Sequence, residues 1–461
     1  MERLESFLAE ASSLAWGMPL LILLMGGGLF LMLYCRFVPF RHLSHSIEIL
    51  SGKYVDPNAP GQISPFQAMS SALASTIGMG NISGVAVGIA MGGPGVLFWM
   101  WMSAIVGMAT KFFTCTLSVM YRGRNERGEV EGGPMYMVTE GLGQKWKPLS
   151  ILFAAAGLIG TLPLFQSNQL TQIVRDVVLR PSGLVGDDVF LPNLFMGIAL
   201  AFPVAIIMFG GLKRIANVAT KLVPLMVILY TGSVLYIIGV NVSAVPHMFA
   251  LIFEDAFTGN AMMGGAVMQV IIMGARRASF SNEAGIGTAA MMHGESQTNE
   301  PVREGLVAML EPFIDTIIVC TMTGLAILVT GVWETHSDNG VSMTAQAFDA
   351  AMPVMGKYLL VICVFIFAFT SLFSYCYYGS KCFTYLFGFK YRRLYDYFYI
   401  LTVIIGAVAT ITSVINLIDT AFALMAIPTM TCALVMSPRV MAAAKDYFAR
   451  MKEEKKVAVV K

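Results

Sequence analysis

The chain has 461 residues, of which 56% are hydrophobic and only 13% charged, against roughly 45–50% and 25% in soluble domains; this excludes a soluble enzyme. Thirty Lys and Arg against 28 Asp and Glu leave a net charge of +2, which advertises neither a nucleic-acid surface nor an acidic tail. The seven cysteines, Cys35, Cys115, Cys320, Cys363, Cys376, Cys382 and Cys432, lie in or beside apolar runs without metal-ligand spacing, and read as buried thiols with no disulfide framework.

A helix needs about 20 predominantly apolar residues to cross a bilayer. Eleven runs qualify: 16–35, 66–93, 95–120, 148–172, 192–210, 216–240, 264–292, 304–331, 355–387, 395–415 and 417–440. The first follows Glu2, Glu5 and Glu10 with Arg3 as the only cation, and no small-residue cleavage site follows it, so it reads as a retained helix and not a signal peptide. An odd number of spans puts the termini on opposite sides. The segments after spans 1, 3, 5, 7, 9 and 11 hold 23 of the 30 Lys and Arg, and the opposite loops only Arg3, Arg175 and Arg180. That bias orients the N-terminus outside and the C-terminus in the cytoplasm, with Glu254, Asp255, Glu334 and Asp338 marking outer loops. The longest polar segments, near 36–65, 121–147 and 332–352, are too short for a soluble domain, and the tail 445–461 reads as a basic, helix-prone anchor.

The second span carries Gly78-Met-Gly-Asn, with Gly84 and Gly88 beyond it. Glycine costs about 1 kcal/mol relative to alanine inside a helix, and Gly78, Gly80 and Asn81 concentrate that cost in one turn, so the helix is expected to unwind there. Gly84 and Gly88, four apart, fit close helix packing instead. Unwound backbone at membrane depth lines a cavity or is buried in protein; its free carbonyls suit cations and a half-helix N-terminus suits a carboxylate.

Span 7 repeats the device at Arg276-Arg-Ala-Ser-Phe-Ser-Asn-Glu-Ala-Gly-Ile-Gly. Gly78 and Gly285 lie 207 residues apart, five spans on, and the two spans enter from opposite sides. That is the pattern of an inverted repeat with its site between two broken helices. The chain divides accordingly into 1–65 (N-terminal helix and linker), 66–240 and 241–440 (five-helix repeats) and 441–461 (basic tail).

Gln166, Ser167, Asn168, Gln169 and Gln172 crowd span 4, where amides either face a cavity or bond across helices. Thr370 and Ser371 in span 9 either complete an oxygen cage for a monovalent cation or bond back to their own helix. Lys111, Lys221, Glu311, Asp315 and Asp419 are ionisable groups in or near spans and candidates by default, although snorkelling also explains Lys221. Glu283 is either a gate or a partner of Arg276 or Arg277. The five histidines, scattered among loops and span ends, offer no enzyme-like constellation, and no charged ring of a channel is visible.

At Gly78-Met-Gly-Asn-Ile-Ser-Gly-Val-Ala, Gly92-Gly-Pro-Gly-Val-Leu-Phe-Trp-Met-Trp, Glu131-Gly-Gly-Pro-Met-Tyr, Phe280-Ser-Asn-Glu-Ala-Gly-Ile-Gly and Pro301-Val-Arg-Glu-Gly-Leu-Val-Ala-Met, the chain resembles the alanine or glycine:cation symporter family. The resemblance implies an all-α integral membrane protein of eleven transmembrane helices, with the leucine-transporter-type five-plus-five inverted repeat preceded by one extra helix. It implies sodium-coupled import of a small neutral amino acid, alanine or glycine, into a prokaryotic cell across its plasma (inner) membrane; separately, the working unit is expected to be a monomer. By position the resemblance places substrate at Gly78, Gly80, Asn81, Gln166 and Tyr375, and sodium on the carbonyls of Ala74 and Ile77 with the hydroxyls of Thr370 and Ser371. Tyr375, Ser374 and Pro163 depart from the family's usual Trp, Gly, and Phe or Asn, which leaves glutamine or serine open as substrate. Proton coupling through Glu283 is the alternative to sodium.

Overall fold

The computed structural model describes residues 2–56, 58–186, 188–258, 267–335 and 340–460; His336, Asp338 and the predicted start of span 7 at 264–266 lie outside them. Helices occupy all eleven predicted runs, and others lie before and between them. In chain order they are α1 (Glu2–Ala15), α2 (Met18–Tyr34), α3 (Pro65–Thr76), α4 (Gly80–Gly92), α5 (Val96–Met120), α6 (Lys147–Gly160), α7 (Leu164–Val174), α8 (Phe190–Met208), α9 (Gly211–Val240), α10 (Val245–Thr258), α11 (Val267–Asn282), α12 (Thr288–His293), α13 (Pro301–Val329), α14 (Val341–Ala351), α15 (Met355–Phe387), α16 (Arg392–Val408) and α17 (Ile411–Val460).

Seven of the described helical stretches are long and apolar enough to cross a membrane on their own, and two bent pairs, α1 with α2 at 46° and α3 with α4 at 47°, bring the number to nine. The other two predicted spans fall short in length. The described part of α11 stops after 16 residues at a break, and α16 has 17. The boundary predicted near 416 lies earlier, at Ala409 and Thr410, where extended backbone at Ala409 ends α16. Span 4 is interrupted at Thr161–Pro163 because Pro163 lacks the amide a continuing helix requires.

The polar ends follow local rules. Ser64 caps α3 in a reciprocal capping box with Gln67, and Pro65 occupies the first helical position. In the loop after α5, Gly123 and Arg124 pair antiparallel with Glu131 and Val130.

Two helices organise the interior. α5 packs on α2, α11, α12, α13 and α17, and α15 packs on α3, α6, α7, α9, α14 and α16. α8 and α16 lie side by side at the periphery, where Phe195 and Phe202 are 69% and 70% exposed; an apolar wall of this kind is what lipid tails cover. Close packing in lipid relies on small residues. Gly88 behaves as expected, since a Cβ there would sit 3.1 Å from Arg277 Cγ and Val96 Cγ1, whereas at Gly84 the nearest atom is an ordinary 3.6 Å away. All seven cysteines are buried thiols.

α17 runs unbroken for 50 residues, about 75 Å at 1.5 Å per residue. α1 lies along its beginning, where Thr410 donates to Glu5 at 2.6 Å. Its far end carries Arg450, paired with Glu300 at 2.7 Å. The two chain ends therefore emerge at opposite ends of α17. Arg276 and Arg277, counted above with the cytoplasmic cations, belong to neither loop. They sit inside α11 on Asp419, at the α1 end, so the bias toward the other end rests on 21 of the 30 Lys and Arg.

Candidate functional site

Both predicted breaks are present, and they are built differently. After Thr76, Ile77 leaves helical geometry with ψ of 90°. The Asn81 side chain bridges the gap: its Oδ1 accepts from Gly78 N–H at 2.9 Å, and Asn81 N–H donates to the Gly78 carbonyl at 3.2 Å. At the second break Glu283, Gly285 and Gly287 have φ of +55°, +84° and +103°. Glycine tolerates that region freely, and a glutamate held there is a strained residue of the sort found at functional sites.

The breaks meet. A Cβ on Gly80 would lie 3.2 Å from Ser281 Cα and 3.3 Å from the Phe280 carbonyl, so a larger residue there would have to push the second segment's backbone away. Asp315 of α13 joins them. Its Oδ1 accepts from Asn81 Nδ2 at 2.7 Å, while its Oδ2 accepts from Ser281 at 2.6 Å and from Thr316 at 2.8 Å. Asn81, Ser281 and Asp315 are fully buried. Asp315 thus gathers three donors and makes no ion pair among the described residues, and it ties the two breaks to α13.

Of the proposed sodium ligands, Ser371 and Ala74 come together: the Ser371 hydroxyl donates to the Ala74 carbonyl at 3.1 Å and the Ser75 carbonyl at 3.2 Å. Any side chain at Gly78 would strike Ser371 Oγ. Both hydroxyls also lie on the Phe367 carbonyl of their own helix, at 3.1 Å for Ser371 and 2.9 Å for Thr370, and Thr370 faces Met226 of α9. The Ile77 amide continues the helix to Leu73 O at 2.7 Å.

The polar cluster of span 4 sorts itself. Ser167 donates to Val403 O at 2.5 Å and Asn168 to Ala409 O at 2.7 Å, both on the α16 side. Gln169 accepts from Val341 N–H at 3.1 Å, and Gln172 donates to Ser342 at 2.9 Å, both in α14. Gln166 differs. It is 4% exposed and its Oε1 has no hydrogen-bond partner among the described residues, and buried polar atoms are otherwise paired. The neighbouring Phe165 ring stands edge-on to Phe280 at 4.8 Å, which ties α7 to the second break.

Tyr375 donates to Glu283 Oε1 at 2.5 Å, and Thr288 donates to Glu283 Oε2. Glu283 is thus not the partner of Arg276 or Arg277. Those two share Asp419, at 2.6 and 2.5 Å, because they lie on α11 before the break and Glu283 lies in it. Lys221 is exposed, as snorkelling predicts.

Sequence reasoning singled out Lys111 and Glu311 but missed the two buried charge clusters toward the α17 tail end, to one of which they belong. His293 of α12 holds Glu304 by Nδ1 at 2.6 Å and Glu311 by Nε2, and Glu311 also pairs with Lys111. The available signal was the seven-residue spacing of Glu304 and Glu311, which puts both on one face of α13. In the second cluster Lys381 pairs with Glu295, which also accepts from Gln62 at 2.8 Å. Backbone bonds from Gln62 and Ile63 to the Glu295 carbonyl clamp the start of α3 to the end of α12.

Two discontinuous helices meeting inside an all-helical, apolar bundle define a membrane transporter with its site at the breaks. The fold agrees: the crystal structure of MhsT in complex with L-phenylalanine, a transporter of the leucine-transporter-type fold, superposes with a TM-score of 0.59 at 14% identity, over 84% of this chain and 99% of that one. The chain belongs to the sodium:alanine symporter family, whose sequence profile matches residues 1–461. It is 37% identical to the sodium/alanine symporter AgcS of Methanococcus maripaludis, over 98% of this chain and 99% of that one. It is 31% identical to the probable sodium/glutamine symporter GlnT of Bacillus subtilis, over 98% and 92%. The chain is therefore of the amino-acid symporter kind, in a membrane, with sodium coupling implied by its family.

Proposed function

We propose that this protein is a sodium-coupled symporter that imports a small neutral amino acid, alanine or glycine, across the plasma (inner) membrane of a prokaryote by alternating access around α3/α4 and α11/α12. The observation that carries the reading is the junction of the two breaks at Gly80 and Ser281, tied by Asp315. In this reading eleven helices span the membrane, residues 66–240 and 241–440 form the inverted repeats, the N-terminus is outside and the C-terminus cytoplasmic, and the monomer is the working unit. Backbone at Gly78 and Gly80 with Asn81 receives the substrate's charged ends. The unpartnered Gln166 oxygen accepts from its ammonium, and Tyr375 closes one side. The carbonyls of Ala74 and Ile77 with the hydroxyls of Thr370 and Ser371 hold sodium; the Ser371–Ala74 approach supports half of that set.

The test is uptake of labelled alanine into proteoliposomes under an inward sodium gradient or in choline, with glycine, serine and glutamine as competitors. Accumulation that requires sodium is the expected result, and competition by glutamine would move the substrate toward the relative GlnT. Thr370→Ala with Ser371→Ala abolishes sodium dependence; retention of that dependence would sink the ion site. The second reading is proton coupling, favoured by Glu283 and Asp315, two buried carboxylates with no cationic partner among the described residues. Uptake driven by a pH gradient without sodium would select it.

A further inference from the structure

Beyond the transport site, an open pocket of about 880 Å³ lies where the turn joining α8 to α9 meets the start of α16. Four cations line it, Arg127, Lys390, Arg392 and Arg393, against one carboxylate, Asp396. None of the four makes an ion pair among the described residues. Arg127 and Arg392 instead crowd onto one ring, Phe389, at 3.8 and 5.4 Å. Four cations with a single carboxylate among them leave a net positive pocket that an anion would balance; elsewhere in the chain Arg276 and Arg277 share Asp419.

The surroundings identify the anion. The pocket sits at the polar ends of α8 and α16, the pair whose outer faces form the exposed apolar wall: Phe202 on α8 is 70% exposed and Leu394 on α16 is 63% exposed. Phe209 and Tyr397, which line the pocket itself, pack at 6.1 Å and are 54% and 62% exposed. Aromatic rings at the end of a lipid-facing wall sit at headgroup level, and basic pockets between helices at that level suit anionic headgroups. A water-soluble phosphate has no use for the apolar wall; a phospholipid covers it with its chains.

We propose that this pocket binds an anionic phospholipid, with the headgroup phosphate among Arg127, Arg392 and Arg393 and the acyl chains along α8 and α16. The assignment rests on the membrane-spanning reading of these helices, and its test needs no transport, so the two fail separately. The full chain in detergent is offered phosphatidylglycerol or phosphatidylcholine and bound lipids are counted by native mass spectrometry, with thermal melting in parallel. Phosphatidylglycerol is expected to be retained preferentially and to raise the melting temperature. Arg392→Gln with Arg393→Gln weakens its binding about tenfold or more, because both changes remove charge at the membrane surface. Lys357→Gln, a cation of a separate pocket lined by Arg175 and Arg180, leaves it unchanged. Equal retention of the two lipids by the unaltered protein, or an unaffected double variant, overturns the proposal. An equal rise in melting temperature with millimolar inorganic phosphate also overturns it, in favour of a soluble anion.

Discussion

The two ends of the transport unit are closed by charge in unequal ways. At the α1 end, Arg276 and Arg277 converge on a single oxygen of Asp419, and Arg277 Nε and Nη1 and Asp419 Oδ1 find no partner among the described residues. At the α17 tail end, Lys111, Glu311, His293 and Glu304 form a continuous chain beside the Lys381–Glu295 pair and the backbone clamp of Gln62 and Ile63. The first is a latch with spare bonding capacity; the second is a nearly saturated network. Since buried polar groups cost most when half satisfied, the latch holds its end with less than the second network, in which only Glu304 Oε2 lacks a partner among the described residues; under the alternating-access proposal it is the end expected to open with less loss.

Three variants test this asymmetry. Lys381→Met strands the buried Glu295 carboxylate, and loss of one partner of a buried pair costs about 3–5 kcal/mol; thermal melting shows the fall, and Glu295→Gln in the same chain recovers most of it. Asp419→Asn likewise leaves the buried Arg277 guanidinium without a counter-charge; the amide acceptor that remains puts the loss at the lower end of the same range, about 3 kcal/mol, and the change increases labelling of a cysteine introduced behind the latch. A larger loss for Asp419→Asn than for Lys381→Met would reverse the comparison. Gln166→Leu has the smallest effect on the fold, because its oxygen bonds nothing among the described residues. It leaves melting unchanged and raises the KM for amino-acid uptake about tenfold, one hydrogen bond to a charged group; a fall in melting temperature instead would assign Gln166 to packing.

The parts of this architecture governed by local chemistry were legible in the sequence. Hydropathy located the helices, since chain polarity at membrane depth follows directly from composition. Gly-x-Gly located both breaks, because the helical cost of glycine is a property of the residue itself. Pairings across the bundle were not legible. Asp315 stands in an apolar run 234 residues from Asn81, and only the approach of the two breaks makes it their common acceptor. Of the two roles the sequence leaves open for Glu283, gate or arginine partner, the second is not formed: with left-handed backbone at 283, it bonds Tyr375 and Thr288. Span 4 announced its polarity without revealing that Gln166 alone of its amides keeps a free acceptor, since that depends on where α14 and α16 lie.

Asp419 and Tyr447 ride on the same unbroken helix, α17, about 42 Å apart along its axis. Tyr447 reaches His45 at 2.6 Å, in the segment that leads to α3. A rod fixed to the latch near one end and to the approach of the first broken helix at the other behaves as a lever: a tilt of about 10° displaces one attachment relative to the other by ~7 Å. Pro428 and Pro438, inside the same helix, each remove a backbone rung, which sets the places where such a lever flexes. The latch and the approach to the first broken helix thereby share one continuous piece of secondary structure.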